Sequence, residues 1–154
     1  MQASDPDSAR RAGIKEGAGR TLAQVSCLVG GAVFIAVGIL GFFFGGSDFT
    51  TGADVEGQNF IIFEVNGWHN VVHIATGAFL VFMAATAGAA VAGLLIFGVV
   101  YLAVTVWGFI DGDDVVNLIP VNPADNWLHL ALTIAALLIA VVSGGLLASG
   151  RRTG

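Results

Sequence analysis

The chain has 154 residues, 56% of them hydrophobic and only 11% charged, where a soluble domain carries roughly 25% charge. That balance excludes an ordinary soluble enzyme and leaves no room for a catalytic domain outside the lipid. The net charge of −5 matters less than its placement. Every Lys and Arg lies near an end of the chain (Arg10, Arg11, Lys15, Arg20, Arg151 and Arg152), which argues against nucleic-acid binding.

Residues 1–21 are polar, basic and rich in Ala and Gly, the composition of a disordered tail. The uncharged run from Leu22 to Phe44 is long enough to cross roughly 30 Å of hydrocarbon at about 1.5 Å per residue. It is too long for the apolar part of a cleaved signal, so it reads as a retained span. Cys27, the single cysteine, falls inside it as a small apolar residue.

Two more apolar stretches, about 68–87 and 90–110, are joined by Thr86, Ala87, Gly88 and Ala89, the pattern of a tight helical hairpin. The fourth stretch, about 127–147, is followed by a short basic tail over 149–154. The expected fold is therefore all-α, a polytopic membrane protein with a four-transmembrane-helix bundle over 22–148. Four spans put both termini on one side. Because Lys and Arg are retained inside, that side is the cytoplasm and the membrane the plasma membrane.

The acidic residues Asp48, Asp54, Glu56 and Glu64, then Asp111, Asp113, Asp114 and Asp125, fall in two outer loops that read as flexible, solvated surface. Trp68, Trp107 and Trp127 lie at the outer ends of spans two, three and four, where amphipathic rings favour the headgroup layer. Small residues such as Gly30, Gly31, Gly38 and Gly41 mark packing faces between helices.

The strongest signal is internal. Val65-Asn66-Gly67-Trp68-His69-Asn70-Val71-Val72-His73-Ile74-Ala75 returns as Val121-Asn122-Pro123-Ala124-Asp125-Asn126-Trp127-Leu128-His129-Leu130-Ala131, matching at both Val, both Asn, the last His and the closing Ala. Each copy opens the second helix of a pair, so the spans read as two parallel helical hairpins. Asn66 and Asn122 suit N-caps, and Pro123 suits the first helical position.

Asn70 with His73, and Asn126 with His129, share helix faces that point into the bundle below the outer interface. Polar side chains at that depth are functional candidates. The leading expectation is an Asn and His hydrogen-bond cluster (Asn66, Asn70, His73, Asn122, Asn126, His129) that fixes helix packing. A second is a metal site: His69 and His73, and Asp125 and His129, are spaced i, i+4 and together offer three imidazoles and a carboxylate to an ion such as zinc. A third is haem held by His73 and His129, or a proton relay through them. The hydroxyls of Ser26, Thr76, Tyr101, Thr105 and Thr133 are expected to bond to backbone or to neighbouring helices.

No Lys, Arg, Asp or Glu stands in the middle of a span, which argues against an ion-coupled transporter or a voltage sensor. The motifs HNVVH and VNPADNWLHL resemble those of a family of small four-span bacterial membrane proteins, frequent in actinobacteria and catalogued as a domain of unknown function. The resemblance runs from roughly Leu22 to Leu147 and implies the four-span topology in a bacterial plasma membrane, without an established activity. The expected role is structural or accessory, with no catalysis and no required cofactor. Its partners are the lipid bilayer and other membrane proteins or a second copy; the alternatives are a metal- or haem-binding protein and an oligomeric transporter or pore.

Overall fold

The computed structural model describes residues 19–53 and 55–150. Most of the expected N-terminal tail, and the residues after Gly150, lie outside these. The described chain runs α1 (Leu22–Phe44), β1 (Gln58–Phe60), β2 (Phe63–Val65), α2 (Gly67–Met83), α3 (Ala87–Asp111), β3 (Asp114–Val115), β4 (Ile119–Pro120) and α4 (Pro123–Gly150). The helices α1, α3 and α4 are long and apolar enough to cross a membrane; α2 has 17 residues.

Each helix starts at a side chain that satisfies its free amides. Thr21 opens α1 with a capping box: its hydroxyl accepts from the Gln24 amide at 3.3 Å, and Gln24 Oε1 accepts from the Thr21 amide at 3.1 Å. Gln24 also donates to the Ala84 carbonyl at 3.0 Å, tying the start of α1 to the end of α2. Thr86 caps α3 by accepting from the Ala89 amide at 3.1 Å. Ala87, Gly88 and Ala89 are thereby the first turn of α3, and the α2–α3 connection is Ala84–Thr86 instead of the expected 86–89. At the other end, α4 runs through Ser149 to Gly150, where a tail was expected.

Ala23, Cys27, Gly31, Phe34, Gly38 and Gly41 form one buried stripe along α1 at helical spacing. The stripe faces α2, and α1–α2 and α3–α4 are the most extensive helix contacts. Where α1 and α2 touch, backbone meets backbone: a Cβ on Gly31 would lie 2.7 Å from the Gly77 carbonyl oxygen, and one on Gly77 2.5 Å from that of Gly31. Only glycine permits that approach. Phe34, Leu80, Phe97, Tyr101, Ala136 and Ala140 belong to the buried apolar core between the helices. Large apolar residues such as Val29, Phe82, Val99 and Leu138 point outward, as contact with lipid requires and contact with water does not favour.

The two acidic loops are more ordered than expected. Each contains a short antiparallel hairpin, β1 on β2 with Asn59 opposite Glu64, and β3 on β4 with Asp114 opposite Pro120. Their turns place Ile61, Val116 and Asn117 at φ of 64°, 55° and 55°, a left-handed backbone that costs most at the β-branched Ile61 and Val116. Asp114 is buried and its carboxylate accepts from the Asn117 amide at 2.6 Å. Val65 and Val121, which lead into α2 and α4, are both buried. A cap of two hairpins therefore sits over one end of the helices, in place of freely solvated loops.

Candidate metal centre

The two motif copies build this end from their caps upward. Asn66 Oδ1 accepts from the His69 amide at 2.9 Å, and Asn122 Oδ1 accepts from the amides of Ala124 and Asp125 at 2.9 and 3.1 Å. Each cap then reaches across the molecule. Asn66 Nδ2 donates to the Leu118 carbonyl in the second hairpin at 3.0 Å, and Asn122 Nδ2 donates to the Ile62 carbonyl in the first at 2.9 Å.

One turn further on, Asn70 Nδ2 donates to the Gly46 carbonyl at 2.7 Å, and Asn126 Nδ2 to the Gly108 carbonyl at 3.0 Å. Their Oδ1 atoms are buried without a conventional partner. They rest against Gly41 and Gly108, where a Cβ would stand. The same geometry in both copies is that of a glycine Cα–H donating to an amide oxygen, a weak bond of about 0.5–1 kcal/mol.

The histidines behave differently. His69, His73 and His129 are all buried, and one ring nitrogen from each lies within 4.8 Å of the others. The His69 ring centroid is 4.5 Å from that of His73 and 6.2 Å from that of His129. Phe34 meets His73 edge-on at 5.3 Å, and Tyr101 meets His129 in the same way at 5.3 Å. His69 Nδ1 is 3.0 Å from the Glu64 carbonyl oxygen, and the Pro120 carbonyl, from the other hairpin, is a second acceptor for the same ring; the tautomer with its proton on Nδ1 bonds to Glu64 and leaves Nε2 its lone pair.

Nδ1 of His73 and Nδ1 of His129 are buried with no hydrogen-bond partner. The expected Asn and His network is therefore two separate things: all four motif asparagines bond to backbone, and none bonds to an imidazole. Among the expected hydroxyl bonds, Thr105 donates to the Tyr101 carbonyl at 2.7 Å, while Thr133 Oγ1, one turn beyond His129, has no partner.

Asp125 stands apart from the three imidazoles. Its Oδ2 accepts from the Asn122 amide and from the Glu64 amide, both at 3.0 Å. It closes the capping box of α4 and pins β2 to that helix. The sequence also gave no hint of Phe34 and Tyr101 as walls or of the Glu64 carbonyl as the group that orients His69. The partners of a backbone carbonyl leave no trace in side-chain pattern.

A cavity of about 70 Å³ is lined by all three histidines together with Thr76 and Tyr101. A larger one of about 180 Å³ lies on the α1 and α4 side of His73 and His129. Three converging imidazoles suit borderline cations such as zinc, copper or nickel, and three protein ligands leave a coordination position open. A carbonyl contact such as that of Glu64 with His69 is the kind of support such ligands have.

A family model described as "Domain of unknown function (DUF4383)" matches residues 24–142, and the chain belongs to that family. No curated protein and no solved structure matches it.

Proposed function

We propose that this member of the DUF4383 family is a four-span plasma-membrane protein that binds a transition-metal ion through His69, His73 and His129 near its outer face. The observation that carries the reading is the pair of buried, partnerless Nδ1 atoms on His73 and His129 beside a third imidazole held by a backbone carbonyl. As pure architecture, each orphaned nitrogen costs about 1–3 kcal/mol. As ligands, these imidazoles have a use.

Four spans follow if α2 crosses with its neighbours. Seventeen residues reach about 25 Å, at the short end of what spans a bilayer. With α1–α2 and α3–α4 as packed pairs, the bundle is two hairpins in one orientation, and the repeated caps support that pairing. The placement of every Lys and Arg near the chain ends supports cytoplasmic termini.

Cavities of about 180 and 70 Å³ are too small for a porphyrin, which favours a bare ion over haem. We read the protein as a binding protein, not an enzyme, working in the bilayer alone or beside other membrane proteins. The test is metal analysis of detergent-purified protein, wild type beside a His73→Ala, His129→Ala double variant. Stoichiometric metal in the first and none in the second supports the site; a metal-free wild type that takes up no zinc, copper or nickel on titration removes it.

A further inference from the structure

The larger cavity lies between α1, the β1–β2 hairpin and α4, and its walls are almost wholly apolar. Three phenyl rings, those of Phe34, Phe60 and Phe63, line it, and His73 and His129 supply its polar end. Both imidazoles are at least nine-tenths buried, and each has a ring nitrogen with no protein partner. Val33 of α1 and Leu128 of α4 border the cavity while being 54% and 41% exposed. It therefore opens sideways, where α1 and α4 part, onto the surface that faces lipid.

Size, shape and charge select the occupant. An apolar cavity of about 150 Å³ stays dry and accepts benzene, so about 180 Å³ accepts a substituted ring whose tail leaves by the open side. Phenyl walls favour a planar ring over a bulky alicyclic one. No Lys or Arg occurs between Arg20 and Arg151, so a phosphate or carboxylate headgroup would find no counter-charge. The one carboxylate at the margin, Asp125, holds two backbone amides through Oδ2, whereas the imidazoles of His73 and His129 offer hydrogen bonds and no negative charge to a cationic head. A neutral head with oxygen that pairs with imidazole remains.

We propose that this cavity binds the ring of a membrane-dissolved quinone or quinol, with a ring oxygen paired to the imidazole of His73 or His129. The proposal shares those two side chains with the metal reading but does not depend on an ion, because an imidazole that gives one nitrogen to a metal keeps an N–H on the other.

The test is equilibrium binding of radiolabelled menadione, a naphthoquinone, to the full chain in nanodiscs, with empty discs subtracted and metal content measured on the same samples. Wild type is expected to bind one molecule per chain. Val37→Phe and Leu132→Phe, which fill the cavity from opposite walls, are expected to weaken binding by at least about tenfold, and Val141→Phe on the outer surface to leave it unchanged. No saturable binding above empty discs, or equal binding in all three variants, overturns the proposal. If the filling variants do not fold, photolabelling of wild type by an azido-naphthoquinone decides: label on α1 and α4 around the cavity supports it, and label elsewhere overturns it. Menadione binding without metal removes only the metal reading, and metal without menadione binding removes only this one.

Discussion

The Asn126 side-chain oxygen occupies the place that a Cβ on Gly108 would take, while the Asn126 amide donates to the Gly108 carbonyl at 3.0 Å. One glycine thus meets both ends of one asparagine, and Asn70 has the same relation to Gly41 and Gly46. Gly108→Ala must displace Asn126 and break its bond, for a loss of about 1–3 kcal/mol. Gly145→Ala, with nothing within 4 Å of the added carbon, is expected to melt at or slightly above the wild-type temperature. Equal melting of the two variants in detergent would remove the lock.

The crossed caps separate two roles of one side chain. Asn122→Ala loses the cap on α4 and the bond to Ile62, with about 1 kcal/mol for the cap alone. Asn122→Ser keeps a capping oxygen and lacks the reach to donate to Ile62. The serine variant is expected to melt between wild type and the alanine variant. If it melts with the alanine variant, the cap contributes nothing and the cross-bond everything.

Metal should act as a stabilising ligand. An ion at about 100 times its Kd adds about 2.7 kcal/mol by mass action, so zinc added to stripped protein is expected to raise the melting temperature of wild type and not of His73→Leu. Stripped, His73→Leu is expected to melt at or above the wild-type temperature, because it removes a buried ring nitrogen that has no partner. A large loss in stripped His73→Leu would restore the architectural reading of this residue.

Asp125 has the opposite prediction. Asp125→Asn weakens two backbone contacts at 3.0 Å and is expected to lower the melting temperature while metal stoichiometry stays at the wild-type value. Loss of the ion with unchanged melting would return Asp125 to the ligand set.

The periodic parts of the molecule were legible in the sequence, and the tertiary parts were not. An uncharged run bounded by Thr21 and Gly45 leaves a helix little freedom, and α1 has the expected ends. The caps at Asn66 and Asn122 follow from local chemistry, and both formed. The pairing of His73 with His129 followed from the motif repeat and the addition of His69 from its i, i+4 spacing, but the exclusion of Asp125 followed from neither. Spacing i, i+4 says which side chains share a face, and only the fold brings the Glu64 amide to Asp125. The first hairpin was missed for a similar reason: Phe60-Ile61-Ile62-Phe63 has no glycine or asparagine to announce a turn, and Ile61 takes a left-handed backbone instead.

The crossed bonds of Asn66 to Leu118 and of Asn122 to Ile62 also bear on how the chain reaches this state. The first half emerges from the ribosome with the Asn66 amide and the Ile62 carbonyl unmet, and both wait for a segment made more than fifty residues later. Neither half can finish its capped end alone. The cap should therefore open and close as one cooperative unit, and two half-chains synthesised separately should protect these amides from hydrogen exchange only after they are mixed.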